Sequence, residues 1–325
     1  VKLTLRQETF PIAGRFTIAR GSKTEARVLY AELEDQGHVG RGESVPYARY
    51  GESIEQSLAE IEAVRDRIEA GLNFSDLHDL LPAGAARNAI DCALWDLNAR
   101  ITGIPAWRTA GLKRLDPLKT AYTLSLDTPE AMGAQAAANA RRPLLKLKIG
   151  GPDDLDRIEA VRANAPKARL IVDGNEGLSF DDLRRTAPDM KTLDVRLIEQ
   201  PLKVSEDEQL LGYDCPVPVC ADESLHTRTE LDRCARLYSF VNIKLDKTGG
   251  LTEALALKAA AIEAGLGIMV GCMVATSLSM APAMIVAQGA DFVDLDGPLL
   301  LARDREHGLE ITGSILHPAT PALWG

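Results

Sequence analysis

Cysteine is scarce and unpatterned in this chain: five residues (Cys92, Cys215, Cys220, Cys234 and Cys272) among 325, an odd number without CxxC spacing. Set mostly among apolar neighbours, they read as buried free thiols in a reducing compartment, which excludes a disulfide framework. Histidine is equally sparse, at five, and no His or Cys lies at a zinc-like spacing. No uninterrupted run of about 18 apolar residues is present to span a bilayer. The first residues lack the basic-then-apolar pattern of a signal peptide, so a cytoplasmic protein is expected. Aromatic residues make up 5%, no Lys/Arg block interleaves with them, and the formal net charge is −10. Those features argue against nucleic acid or an anionic membrane as a partner. What is there is ordinary globular material, 46% apolar and 26% charged, enough for a sizeable core. The length exceeds one typical domain and suits a large barrel with a smaller unit attached.

Residues 1–118 predict an α+β segment. Alternation over Lys2 to Glu8 and Arg27 to Glu34 suggests strands, "DQGHVGRGE" a turn, and "AARNAIDCALWDLNAR" a helix ended by Gly103 and Pro105, whose apolar stripe reads as core. From 119 to 299 eight short β-rich runs alternate with helical stretches such as "DDLDRIEAVRANA" and "LTEALALKAAAIEAG". The runs are "TAYTLSL", "LLKLKI", "ARLIVDG", "VRLIEQP", "VPVCADES", "FVNIKLDK", "LGIMVGCM" and "DFVDLDGP". Repeated βα units imply a parallel sheet with right-handed crossovers, and eight of them imply closure into a barrel with functional residues at the C-terminal strand ends. Residues 300–325 break the repeat and are expected to return to the first unit.

Those strand ends carry charge. Asp173, Glu199, Asp222 and Lys244 each close an apolar run, and period-two alternation turns Lys146 and Lys148 of "LLKLK" to one inward face. Three converging carboxylates repel one another unless a cation sits among them, and all-oxygen ligation favours a hard ion such as Mg2+ over zinc. A metal flanked by two lysines suits removal of a proton next to a carboxylate, because positive charge stabilises the resulting enediolate. The base must be neutral near pH 7, and a neighbouring ammonium, a metal and burial would each lower a lysine pKa from about 10.4. A base on each face gives racemisation or epimerisation.

The ordered series "KLK", "DGNE", "EQP", "ADES" and "NIKLDKTGG" resembles the enolase superfamily, within it the muconate lactonizing enzyme subgroup. The resemblance implies a (β/α)7β modified TIM barrel, of α/β class, under an α+β N-terminal capping domain. It implies Asp173, Glu199 and Asp222 as ligands of one Mg2+, Lys148 and Lys244 as the acid/base pair, and Lys146 as an electrostatic helper. "DFVDLDGP" is further similar to the dipeptide epimerases, L-Ala-D/L-Glu epimerases among them, where a DxD pair (here Asp294 and Asp296) holds the substrate α-ammonium; the alternative is a turn at Asp296-Gly297-Pro298. "TIARGSKTEA" and "PYARYGES" resemble the family's two covering loops. Arg20 there is either a cation for a glutamate side chain or a solvated hairpin residue. In "GCMVATS" Cys272 and Met273 would line the pocket, Cys272 by packing. The implied activity is epimerisation of a small dipeptide, L-Ala-D/L-Glu in murein peptide recycling, with a homo-oligomer compatible with it. The alternatives are an N-acylamino acid racemase, an o-succinylbenzoate synthase, or a non-catalytic peptide-binding barrel.

Overall fold

The structure is a computed structural model that describes residues 1–151 and 154–325. The N-terminal unit begins with an antiparallel three-stranded meander, Lys2–Ile18, Gly21–Asp35 and His38–Ser44. Both expected strands are longer than their alternation suggested, and the expected turn is mostly a third strand. Only Gln36 and Gly37, at φ 51° and 76°, make the reversal. Two glycines disguise that strand: a Cβ at Gly40 would overlap Leu97, and one at Gly42 would overlap the Ala89 carbonyl. They are there because the Ala85–Thr102 helix lies directly on the sheet. Leu29, Leu33, Ile61 and Ile90 fill the space between sheet and helices.

Eight parallel strands follow in sequential order: Tyr122–Leu124, Leu144–Lys148, Arg169–Asp173, Val195–Glu199, Val219–Ala221, Phe240–Ile243, Gly267–Gly271 and Phe292–Asp294. Each falls in one of the eight predicted runs. The first and eighth meet through the Ala121 N–H on the Val293 carbonyl at 2.8 Å, closing the barrel. The connecting helices Leu251–Glu263 and Asp154–Asn164 fall where their patterns predicted them, Asp153 lying outside the described residues. Inside, Ala121, Leu144, Ile171, Leu197, Cys220, Met269 and Phe292 form an apolar floor. Two residues further on in the same phase come Lys146, Asp173, Glu199, Asp222 and Asp294, with Asn242 two after Phe240, so on five of the eight strands one step exchanges the apolar floor for an ionisable side chain.

The last residues lie on the Ala85–Thr102 helix: Trp324 Nε1 donates to the Cys92 carbonyl and the Gly325 N–H to Asp96. Among the described residues no helix is long and apolar enough to cross a membrane.

Candidate active site

A cavity of about 860 Å3 opens between the cap and the C-terminal ends of the barrel strands, lined by Lys146, Lys148, Asp222, Lys244, Asp294 and Asp296 from below and by Phe16, Ile18, Arg20, Tyr47 and Tyr50 from above. Strand register places Lys148 opposite Asp173 and Asp173 opposite Glu199, so these groups form one row. Asp173 and Glu199 are the last residues of their strands, whereas Asp222 and Lys244 come one residue after theirs, Lys244 capping a short helix, Leu245–Thr248.

The lysines sit among the acids. Lys148 Nζ donates to Asp173 at 2.6 Å and Lys244 Nζ to Asp222 at 2.6 Å. Lys146, only 2% exposed, lies 3.0 Å from Asp173, 2.6 Å from Glu199 and 2.7 Å from Asp294. Among the described residues no three His, Cys, Asp or Glu side chains close around a point that could hold a metal, because ammonium groups stand between the carboxylates. For Lys146 and Lys244 the direction is the reverse of the downward shift expected. Burial lowers Lys146, but Asp173, Asp294 and Glu199 outweigh it and hold the amine well above its usual range. Asp222 and Glu199 do the same to Lys244. A buried ammonium beside two or three carboxylates keeps its proton; a neighbouring ammonium is the weaker influence.

The carboxylates divide by the same logic. Burial raises Asp173 and Asp222, but their lysines outweigh it, leaving Asp222 well below the usual carboxylate range and Asp173 lower than usual. Burial, then the charge of Asp173, pushes Glu199 up to about 7. Asn175 Oδ1, Glu223 Oε2, Asn242 Oδ1 and Asp294 Oδ1 around the mouth are buried without a hydrogen bond, and Glu199 Oε2 has the Lys146 ammonium at 2.6 Å. Orphaned oxygens of this kind cost free energy and suit a hard cation. The three buried carboxylates Asp173, Glu199 and Asp222 therefore fit magnesium by donor chemistry.

The remaining sequence-predicted residues are distributed unevenly. Asp294 ends the eighth strand and Asp296 lies beyond it, so they do not share a strand as expected, yet both face the cavity. Asp296 precedes the turn of helix Gly297–Leu300 but makes no cap bond; its side chain instead accepts the Thr123 N–H at 2.6 Å. Burial and Asp294 push its carboxyl up to about 7. Arg20 is exposed but not free: it donates to Glu223 at 2.8 Å, Tyr47 at 3.1 Å and the Asn175 carbonyl at 2.7 Å, tying the cap hairpin to the barrel loops. Cys272 and Met273 line the cavity. Burial, then Asp296 and Asp294, pushes the Cys272 thiol well up, so it is no nucleophile.

Sequence reasoning missed Lys247 and Asn242. Lys247 Nζ donates to the Asp222 carboxylate and carbonyl and to the Asn242 carbonyl, and Asn242 Nδ2 donates to Glu199 at 2.7 Å. Alternation could have found Asn242, two residues before Lys244 on the inward face. Lys247 had no strand periodicity to mark it, since it sits on the short helix. Glu223 was missed because the loop turns it to the cavity, where Arg20 meets it.

A closed parallel barrel with a row of lysines and carboxylates at its C-terminal mouth, covered by an α+β cap, is the arrangement of the enolase superfamily. Residues 131–309 match the enolase C-terminal domain-like family and residues 1–111 the mandelate racemase/muconate lactonizing enzyme N-terminal domain, so the chain belongs to the mandelate racemase/muconate lactonizing enzyme family. It is 45% identical to an N-acetyl-D-glutamate racemase of Pseudoalteromonas sp, over 92% of this chain and 95% of that protein. It is 44% identical to the L-Ala-D/L-Glu epimerase of Escherichia coli K12, over 96% of this chain and 98% of that one. A crystal structure of an Agrobacterium tumefaciens enolase family member with homology to dipeptide epimerases, holding sodium and L-Ala-L-Glu, superimposes at a TM-score of 0.98 with 52% identity, covering 99% of each chain.

Proposed function

We propose that this chain is a magnesium-dependent dipeptide epimerase that inverts the Cα of the C-terminal residue, with L-Ala-D/L-Glu as substrate. In this reading 119–299 is the catalytic barrel, and 1–118 together with 300–325 forms the cap. Lys148 on the second barrel strand and Lys244 after the sixth approach the substrate from different sides. One removes the α-proton and the other returns it on the opposite face, which inverts the carbon. Asp173, Glu199 and Asp222 would hold magnesium, which when bound supplies positive charge to the substrate α-carboxylate as the adjacent proton leaves. Engaging those carboxylates also loosens their hold on the lysine protons, so that a neutral amine becomes accessible. Lys146 contributes fixed positive charge beneath the substrate, and the cap excludes water.

The observation that carries the dipeptide reading is the pair on the cavity wall. Asp294 has a buried oxygen with no hydrogen-bond partner, and Asp296, crowded by Asp294, is pushed up to about 7. Asp294 shares Lys146 with two other carboxylates through its second oxygen and Asp296 has no salt bridge among the described residues, so the pair can take a further cation, and a free α-ammonium is one. The 45% identical N-acetyl-D-glutamate racemase supports a second reading, racemisation of an N-acyl glutamate, which brings no ammonium to that wall. Proton NMR in deuterium oxide separates the two. Loss of the Cα signal from L-Ala-L-Glu should be much faster than from N-acetyl-L-glutamate, and the opposite order transfers the assignment to the racemase.

A further inference from the structure

The Ala85–Thr102 cap helix turns four polar or charged side chains, Arg87, Asn88, Asp91 and Asp96, into buried positions. Three of them take hold of one stretch of the barrel, the residues directly after Lys244. The short helix Leu245–Thr248 ends at Gly249 in the left-handed region, φ 73°. There the Arg87 guanidinium donates to the Thr248 carbonyl at 2.8 Å and to the Gly249 carbonyl at 3.1 Å, and its third bond goes to the Leu81 carbonyl. Asn88 Nδ2 donates to Asp246 at 2.8 Å, and the same oxygen accepts the Val45 N–H at 2.9 Å. Asp91 accepts the Thr252 N–H at 3.0 Å and its hydroxyl at 2.6 Å.

The fit leaves no room for other residues. A Cβ on Gly249 would lie 2.5 Å from Arg87 Nε, and one on Gly250 would overlap the Asp91 side chain. Arg87 is 6% exposed and forms no salt bridge within 4.0 Å among the described residues, so its fork serves the helix-end carbonyls. Lys244 itself is anchored by main chain to this segment: its carbonyl accepts the N–H of Lys247 and of Thr248. Lys148 meets the cap differently, through the Phe16 ring 5.9 Å from its Nζ; among the described residues no cap hydrogen bond reaches it, and its strand is held by the barrel sheet on both sides.

We infer that Arg87, assisted by Asn88, is a positioning residue for Lys244: the cap helix sets where one of the two bases stands through hydrogen bonds, while the backbone of the other is held by the barrel sheet. This rests on the two-base reading above. Its consequence is an asymmetry between the epimers. Displacement of a reacting group by about 1 Å costs about 100-fold, and here the displacement falls on a single face. Arg87→Ala should therefore lose about 100-fold in Cα exchange from one epimer and leave exchange from the other little changed.

The test measures Cα exchange in deuterium oxide separately from L-Ala-L-Glu and L-Ala-D-Glu, for the wild type, Lys244→Ala, Arg87→Ala and Asn88→Ala, all with magnesium. Lys244→Ala identifies the epimer that depends on Lys244. Arg87→Ala should share that bias, Asn88→Ala should show it more weakly, and guanidinium ion in solution should restore exchange selectively from the affected epimer of Arg87→Ala. Where Arg87→Ala does not fold by circular dichroism, Asn88→Ala decides. Equal losses from both epimers, or none, in folded variants overturn the inference. Wild-type protein that exchanges neither dipeptide overturns the epimerase reading instead.

Discussion

Replacing Asp296 with Asn removes one charge from the cavity wall while keeping the side chain's shape. In the wild type one carboxylate oxygen accepts the Thr123 N–H at 2.6 Å. The amide of the variant can keep that bond only by turning its NH2 group toward the cavity, where a substrate ammonium also donates. The variant therefore loses a charge and sets donor against donor. Removing one partner of a buried charged pair costs about 2–5 kcal/mol, and the donor clash places this case in the upper half, about 1,000-fold in kcat/KM for L-Ala-L-Glu at about 1.4 kcal/mol per decade. N-acetyl-L-glutamate has no ammonium to lose and should fall far less. The pH dependence has a definite sign. Burial and Asp294 hold the Asp296 carboxyl near 7, so at lower pH it is neutral and offers the ammonium no full charge. The wild-type preference for the dipeptide should rise as pH is raised through about 7, and the variant's preference should stay flat. Steady-state kinetics on both substrates across that window give the ratio directly, and a folding defect cancels from it. A variant in which both substrates fall by the same factor, or a wild-type ratio independent of pH, refutes the reasoning.

Two further outcomes are expected. Stringent chelation should abolish Cα exchange, and magnesium at about 100 times its dissociation constant should stabilise the protein by about 2.7 kcal/mol. With about 2.1 cal/mol/K of unfolding entropy per residue over 325 residues, that is about 4 °C in melting temperature; full activity after chelation with no thermal shift would remove the metal from the scheme. Arg305→Met strips the cation from buried Glu43, which Arg305 contacts at 2.6 Å. Breaking such a pair costs about 3–5 kcal/mol, about 4–7 °C. Burial already raises the Glu43 carboxyl against the pull of Arg305 and Thr276. Losing Arg305 raises it further, so the variant binds a proton more readily in its folded state, and its deficit should grow as pH rises above the wild-type Glu43 pKa. Thermal melts at low and high pH that show the same deficit would contradict this.

The barrel was legible because its strands are short apolar runs separated by helical stretches, most of them stopped by an ionisable residue. Lys146, Lys148, Asp173 and Glu199 lie where alternation put them. Asp222 and Lys244 share their inward phase but sit beyond the last ladder pair, because sequence shows the apolar run and not where the hydrogen bonding stops. The cap was less readable. The strand His38–Ser44 hides behind Gly40 and Gly42, whose reason is a helix contact distant in sequence. The Ala85–Thr102 helix reads as an apolar stripe, yet its working side chains are Arg87, Asn88 and Asp91, whose barrel partners lie more than 150 residues later. Arg20 was placed at the cavity from sequence, but its carboxylate partner, Glu223, is found only once the loops are folded.

Charge at the mouth can be balanced residue by residue. Four buried ammonium groups, on Lys146, Lys148, Lys244 and Lys247, face five buried carboxylates, on Asp173, Glu199, Asp222, Asp294 and Asp296, with Glu223 matched by Arg20. Fully ionised, the mouth carries one net negative charge, and the strain of that excess falls on Glu199 and Asp296, the two carboxyls pushed up to about 7. For Lys148 or Lys244 to serve as base it must be without its proton, which takes the mouth to two negative charges, the charge that a divalent cation offsets. A dipeptide then brings an ammonium to Asp294 and Asp296 and an α-carboxylate to the reacting end, which cancel, the glutamate side-chain carboxylate being common to the dipeptide and the N-acyl compound. An N-acylated amino acid brings the α-carboxylate alone and restores a net negative charge in a site that burial makes costly to charge. The same balance that calls for a divalent ion at Asp173, Glu199 and Asp222 thus favours a substrate with a free amine at Asp294 and Asp296.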